Sequence, residues 1–283
     1  MNVIEPTAEA FRRVQRRALK KLGKTILRAT DESLASTSWL GDGPLYDPLI
    51  FPWVPALEAA AGGIRSELEH LLAHREQLPT FQDISPAQQR ISDDERWRVF
   101  AFYGFGERSA QNCGLCPITA RTLDGIPGVY NAFFSILAPD KHIPRHHGVT
   151  RGFIRCHLGL IVPAQRERCR MDVDGSLVCW EEGKAVLFDD SRPHEVWNET
   201  NETRAVLLFD VPRPMTVRGR ALLALLMGVL ERTHYVKDVL ANQRRWEDSA
   251  GGIFTRRPGV FVDEQQLAVR GTSASADRDA RRC

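Results

Sequence analysis

The sequence predicts a mostly β protein, a double sheet or barrel flanked by helices. Three observations lead there. From residue 132 onward the chain falls into short strand-like runs, FFSILAP, FIRCHLGLIVP, KAVLFDD and RAVLLFDVP, punctuated by turn signals such as Asp174-Gly175. Before and after that stretch the apolar residues recur every three or four positions, the period of helices. Finally, His146, His147, His157 and His194, four of the eight histidines, gather within residues 144–210, with His142 just upstream.

A chain of 283 residues with 43% hydrophobic content can bury a sizeable core as one large domain with peripheral segments. The net charge of +2 gives no reason to expect nucleic acid. Basic residues nevertheless crowd the start, from Arg12 to Lys24. That start lacks the apolar run and small-residue cleavage site of a secretory signal. The longest apolar run, residues 221–230, is about half the ~20 residues a membrane-spanning helix needs. A cytoplasmic protein is the expectation. Six cysteines suit reduced thiols, and Cys113-Gly-Leu-Cys116 reads either as a turn with two thiols or as half of a zinc knuckle.

Taken in order, residues 1–44 hold a basic amphipathic helix and a linker. Phe11, Val14, Ala18, Leu19, Leu22 and Ile26 make one helical face over residues 9–28. That helix either packs on the domain with a solvated face or makes peripheral contact with a membrane surface. The main domain is expected over residues 45–214. Within it, Leu57, Ile64, Leu68, Leu71 and Leu72 predict a single helix over residues 55–76, with His70 and His74 sharing a surface face. Residues 97–104 read as a strand, 119–123 as a short helix, and the β runs follow. A helical segment is expected over 215–249, with the helix itself spanning 220–246, and a polar, mobile tail over 250–283.

The β runs carry the chemistry. Because side chains alternate along a strand, Phe153, Arg155, His157, Gly159 and Ile161 share one face, and Ile154, Cys156, Leu158 and Leu160 the other. The second face belongs in a core. The first sets an arginine beside a histidine, a costly arrangement inside a protein unless an anion meets them. Arg204, Val206, Leu208 and Asp210 repeat the pattern on the last strand. Two inward arginines suit a small dicarboxylate; arginines at strand ends could equally reach solvent. His146, ending a Pro-containing loop, and His194, on a turn after a strand, match the paired histidines of a non-haem iron oxygenase with a double-stranded β-helix. The third ligand of that site, a carboxylate two residues after the first histidine, is Gly148 here. Two surface histidines are the other reading.

Several blocks occur together and in order: His146-x-Gly148, Arg155-x-His157-Leu-Gly-Leu160, Trp180-Glu-Glu-Gly-Lys184, Phe188-Asp-Asp-Ser191, His194-Glu-Val-Trp-Asn198 and Arg204. In these the chain resembles the aspartyl/asparaginyl β-hydroxylase family of iron(II)- and 2-oxoglutarate-dependent dioxygenases. The resemblance runs over roughly residues 45–214. It implies a double-stranded β-helix (jelly-roll, cupin-like) core, with Fe(II) as metal and 2-oxoglutarate and O2 as cosubstrates. It implies that His146 and His194 hold the iron, glycine at position 148 being normal in animal members. It also implies that Ser135 and Arg204 hold the distal carboxylate of 2-oxoglutarate, and that Arg155 and His157 meet its metal-proximal end. A non-catalytic cupin-like binding module is the reading from another class.

The resemblance implies β-hydroxylation of an Asp or Asn residue as the leading activity and 2-hydroxylation of a lipid acyl chain, of lipid A or ornithine lipid type, as the alternative. Animal members that act on Asp or Asn carry an arginine where this chain has Phe153, a tentative substrate residue. That exchange favours a less acidic substrate. Against it, the lipid enzymes typically read HxD where this chain reads His146-His147-Gly148. The partner is therefore a small-molecule, peptidyl or lipid substrate.

Overall fold

The computed structural model describes residues 30–250. The basic helix predicted over residues 9–28 and the tail from residue 251 lie outside the described residues. Two antiparallel sheets dominate. The larger is built, in spatial order, from β1 (Leu45–Tyr46), β9 (Ala185–Phe188), β6 (Phe153–Ile161), β11 (Arg204–Pro212), β4 (Asn131–Leu137), β2 (Trp97–Gly104) and β3 (Glu107–Arg108). The smaller runs β5 (Lys141–His146), β10 (His194–Asn198), β7 (Cys169–Val173) and β8 (Ser176–Cys179). From β4 to β11 the chain passes back and forth between the sheets, which makes the core a double-stranded β-helix.

The alternation of β6 sets which side is core. Ile154, Cys156, Leu158 and Leu160 are buried on the outer face of the large sheet. They share a core with Leu57 of helix α1 (Val54–Ala59) and with Ile64, Leu68 and Leu71 of α2 (Ala61–Leu72). The single helix predicted over residues 55–76 is thus two, broken at Ala60, whose N–H is shared among the carbonyls of Ala56, Leu57 and Glu58. Gly62 and Gly63 follow that break and weaken helix continuity. His70 ends up on α2 and His74 beyond it, both exposed, so they share no helix face. Between the sheets lies a second core with Val99, Phe188, Val206 and Leu208 from the large sheet and Ile143, Met171, Val178 and Val196 from the small one.

Two strands were hidden in what reads as loop. The histidine-bearing stretch around Pro144 is β5, an edge strand, where a residue lacking an N–H costs no ladder bond. His194 opens β10 instead of sitting on a turn. The hairpin at Asp174-Gly175 forms as predicted, with both residues at positive φ (51° and 85°).

Helices α3 (Phe81–Ile84), α4 (Ala110–Leu115) and α5 (Pro117–Asp124) complete the flank. After residue 214 the predicted continuous helix is again two, α6 (Val217–Leu230) and α7 (His234–Ala250). Thr233 divides them: its hydroxyl donates to the Leu230 carbonyl and accepts from the Val236 N–H. Leu223 and Met227 of α6 pack on Leu34 and Met215, while Val239 of α7 joins the core between the sheets. Cys113, Cys116, Cys156 and Cys169 are buried free thiols, and among the described residues no group of three His, Cys, Asp or Glu side chains completes a zinc knuckle.

Candidate active site

β5 and β10 are paired so that His146 stands directly opposite His194. A register irregularity between His194 and Val196 accommodates Pro144 and brings the two rings to 4.1 Å between centroids. Each ring is oriented the same way. The Nδ1–H of His146 donates to the Pro144 carbonyl at 2.9 Å, and that of His194 to the Arg192 carbonyl at 2.9 Å. A carbonyl only accepts, so both Nε2 atoms carry the lone pair in the neutral ring. Burial pushes both imidazoles down to about 4, which keeps them neutral near pH 7.

A carboxylate adjoins the pair. Asp190 Oδ1 lies 3.4 Å from His194 Nε2. Gly148 explains how it fits: a Cβ there would come within 1.8 Å of Asp190 Oδ2, and the Gly148 N–H donates to the Asp190 carbonyl at 2.7 Å. The space a side chain at position 148 would fill is occupied from position 190. Among the described residues, no group of three His, Cys, Asp or Glu side chains is arranged to hold a metal ion. Two acceptors facing each other across 3.4 Å suit a cation near them.

Arg155 and His157, neighbours on one strand face as the alternation requires, meet different fates. Arg155 grips Asp210, its cross-strand partner on β11, through Nε–H at 2.8 Å and Nη2–H at 3.1 Å, and also donates to Asp190. Burial would lower its pKa, but the Asp190 and Asp210 carboxylates more than offset that and raise it. The anion that Arg155 needs is the protein's own. Asp190, pushed up by burial, is held back by Arg155.

Arg204, on the same strand as Asp210, meets no carboxylate among the described residues. It is 1% exposed, stacks over the Trp180 ring at 4.6 Å and donates to the Ser135 carbonyl at 3.2 Å, while its Nε finds no partner. Burial pushes it down to about 10. Beside it, Trp180 Nε1–H donates to His157 Nδ1 at 3.3 Å, so the His157 proton sits on Nε2, which is buried and unpaired. Burial first, then the charges of Arg204 and Arg155, hold His157 neutral. Ser135 Oγ accepts from Trp97 Nε1–H at 3.0 Å, leaving its own hydroxyl proton available. Arg204, His157 and Ser135 therefore present donors without acceptors, a ready anion site.

These groups line one cavity of about 860 Å³. The rest of its wall is mainly apolar, including Ile84, Ala87 and Ile91 near α3 and Leu230, Tyr235 and Val239 from the C-terminal helices. His146, His194, Ser135, Arg155, His157 and Arg204 are all brought together there. Phe153 is not part of that lining: it stacks on Tyr130 at 4.7 Å and packs against α6. His142 is outside too, bonded to Glu195 and stacked on Trp197. Sequence reasoning missed Asp190 as a neighbour of His194, although it lies in the block before that histidine. It also missed Asp210 as the partner of Arg155, although strand alternation had put it on the inward face. Nothing in the local pattern signalled the wall supplied by α7.

The paired histidines, the buried arginine and the barrel meet in the comparisons with known proteins. The model of the aspartyl/asparaginyl beta-hydroxylase family matches residues 58–214. The chain belongs to that family. Among its relatives, an ornithine lipid ester-linked acyl 2-hydroxylase of Rhizobium tropici is 43% identical over 208 residues, 74% of each chain. The human aspartyl/asparaginyl beta-hydroxylase is 31% identical over 134 residues, 46% of this chain but only 17% of that protein. Among solved structures, a cupin domain of an Enterobacter cloacae regulator gives a TM-score of 0.29 at 16% identity, over 41% of this chain and 96% of that one. The strand order, not that slight likeness, carries the fold. Family membership makes the chain a hydroxylase, and no helix among the described residues is long and apolar enough to cross a membrane.

Proposed function

We propose that this hydroxylase is iron(II)- and 2-oxoglutarate-dependent and acts on a lipid acyl chain at its 2-position. The observation that carries the substrate reading is the cavity, which is polar at the paired histidines and apolar along most of its remaining wall. An acyl chain matches that wall without leaving polar groups unpaired. Arg155, which a substrate aspartate would otherwise meet beside the histidines, is already committed to two carboxylates of the protein. The 43% identity to a lipid acyl hydroxylase across 74% of each chain supports the same choice over the Asp/Asn reading.

The residues fit the implied groups. The unshared Nε2 atoms of His146 and His194 would hold iron, with Asp190 adjoining. Arg204 and Ser135 would hold the distal carboxylate of 2-oxoglutarate, with the His157 Nε2–H donating to the cosubstrate. When bound, iron with 2-oxoglutarate and O2 supplies the oxidising power for inserting one oxygen atom into a C–H bond, with release of succinate and CO2. The chain's own part is to orient. The Pro144 and Arg192 carbonyls fix the tautomers of the two histidines, Trp180 fixes that of His157, and the apolar wall excludes water from the reacting end.

The test is incubation of the full chain with Fe(II), ascorbate and 2-oxoglutarate, offering ornithine lipid, lipid A and Asp- or Asn-containing peptides in parallel. A gain of one oxygen on an acyl chain, with succinate formed in step, is the expected result. Hydroxylation of a peptide with every lipid ignored would overturn the substrate reading; turnover without 2-oxoglutarate would overturn the cosubstrate.

A further inference from the structure

Helix α6 has no acidic residue between Val217 and Leu230 and only two charges, Arg218 and Arg220. Its apolar residues run all the way round, more than burial requires. One side, Gly219, Leu223 and Met227, is buried. The other exposes Val217 (70%), Leu225 (68%) and Val229 (58%), with Ala221 and Ala224 between them. Trp39, 71% exposed, is tied to its start, because the Trp39 N–H donates to the Pro214 carbonyl.

This surface is continuous with the cavity. Leu230, the last residue of α6, lines it, as do exposed Tyr235 just beyond and exposed Val149 from the loop after β5. We infer that the exposed face of α6, with Trp39 at one end, docks on an anionic lipid bilayer and holds the cavity mouth toward it. The helix would lie in the plane of the interface, with Leu225 and Val229 entering the acyl boundary. Arg218 and Arg220 would reach the anionic headgroups along their apolar stems. The absence of any acidic side chain along α6 is what selects a negatively charged surface over a neutral one. The partner goes beyond the hydroxylase reading and stands on surface chemistry, so vesicle binding and turnover can fail separately.

Co-sedimentation of the full chain with vesicles tests it, using phosphatidylcholine alone and phosphatidylcholine mixed with phosphatidylglycerol. Binding should favour the mixed vesicles, and Leu225→Glu with Val229→Glu should weaken it by about tenfold or more while the thermal melt is unchanged. Arg218→Gln with Arg220→Gln, which leaves the apolar face intact and serves if the first variant misfolds, should remove the preference for phosphatidylglycerol. Unaltered binding in a folded variant of either kind overturns the assignment. So does a Leu225→Glu/Val229→Glu variant that splits a dimer in sedimentation velocity yet still binds vesicles, since a second copy would then be what covers this face.

Discussion

Two inward arginines share one barrel interior, and they are built oppositely. Arg155 has Asp210 across the strand and Asp190 beside it. Arg204 has an indole face, one carbonyl and an unpaired Nε. Their pKa values diverge in step: carboxylates raise the first and bare burial lowers the second to about 10. An inward arginine is therefore not in itself a ligand site. Arg155 is spent on the protein's own carboxylates; Arg204 is a buried cation that meets no carboxylate among the described residues.

Four places in the fold test that contrast. The largest effect should come at Arg204. Arg204→Ala should weaken 2-oxoglutarate by about 3–5 kcal/mol, with Arg204→Lys restoring only part because a point charge lacks the bidentate fork. Calorimetric titration reads the affinity, and an unchanged value in Arg204→Ala would erase the distinction between the two corners. In the protein without ligand, Arg204→Met should be neutral or stabilising, since it removes a buried charge that no carboxylate meets.

Arg155→Met should do the reverse. Leaving Asp190 and Asp210 without their cation should cost about 2–4 kcal/mol in urea unfolding, somewhat below the fully buried limit because the guanidinium is partly exposed. A stability matching that of Arg204→Met would show that the ion pairs carry nothing.

The histidine pair gives the third effect, roughly 2 kcal/mol per ring after allowance for solvent. Both rings fall from an ordinary value near 6.5 to about 4 in the folded chain. Above pH 6.5 they are neutral folded and unfolded, and their contribution is complete. As the pH drops toward 4 the unfolded chain takes up protons that the folded one refuses, so iron-free stability declines; below about 4 the loss levels off. A flat profile across that window would place the rings in water instead of in the barrel.

The smallest effect belongs to Phe153. Phe153→Arg should cost about 1 kcal/mol through its lost stacking on Tyr130 and bring no gain in turnover of an Asp peptide, because the side chain packs under α6 outside the cavity. Improved peptide turnover would mean that this position reaches the substrate after all.

Much of this was legible in the chain. Period-two alternation identified β6 and β11 and put Arg155, His157, Arg204 and Asp210 on inward faces, because side-chain direction along a strand is a local property. Ordered motif blocks assigned His146 and His194 together, and Asp174-Gly175 marked its hairpin by the positive φ that such residues accept. Pairing was not legible, because it depends on which strands become neighbours. β5 looked like loop until an edge position made its proline harmless. Asp210 became the partner of Arg155 only through the β6–β11 register, which left Arg204 bare, and Asp190 filled the space at Gly148 only once β10 lay against β5. Part of the apolar wall came from α7, which is remote from His146 along the chain. Local sequence determines which way a side chain points; what it then meets is decided by contacts between distant segments.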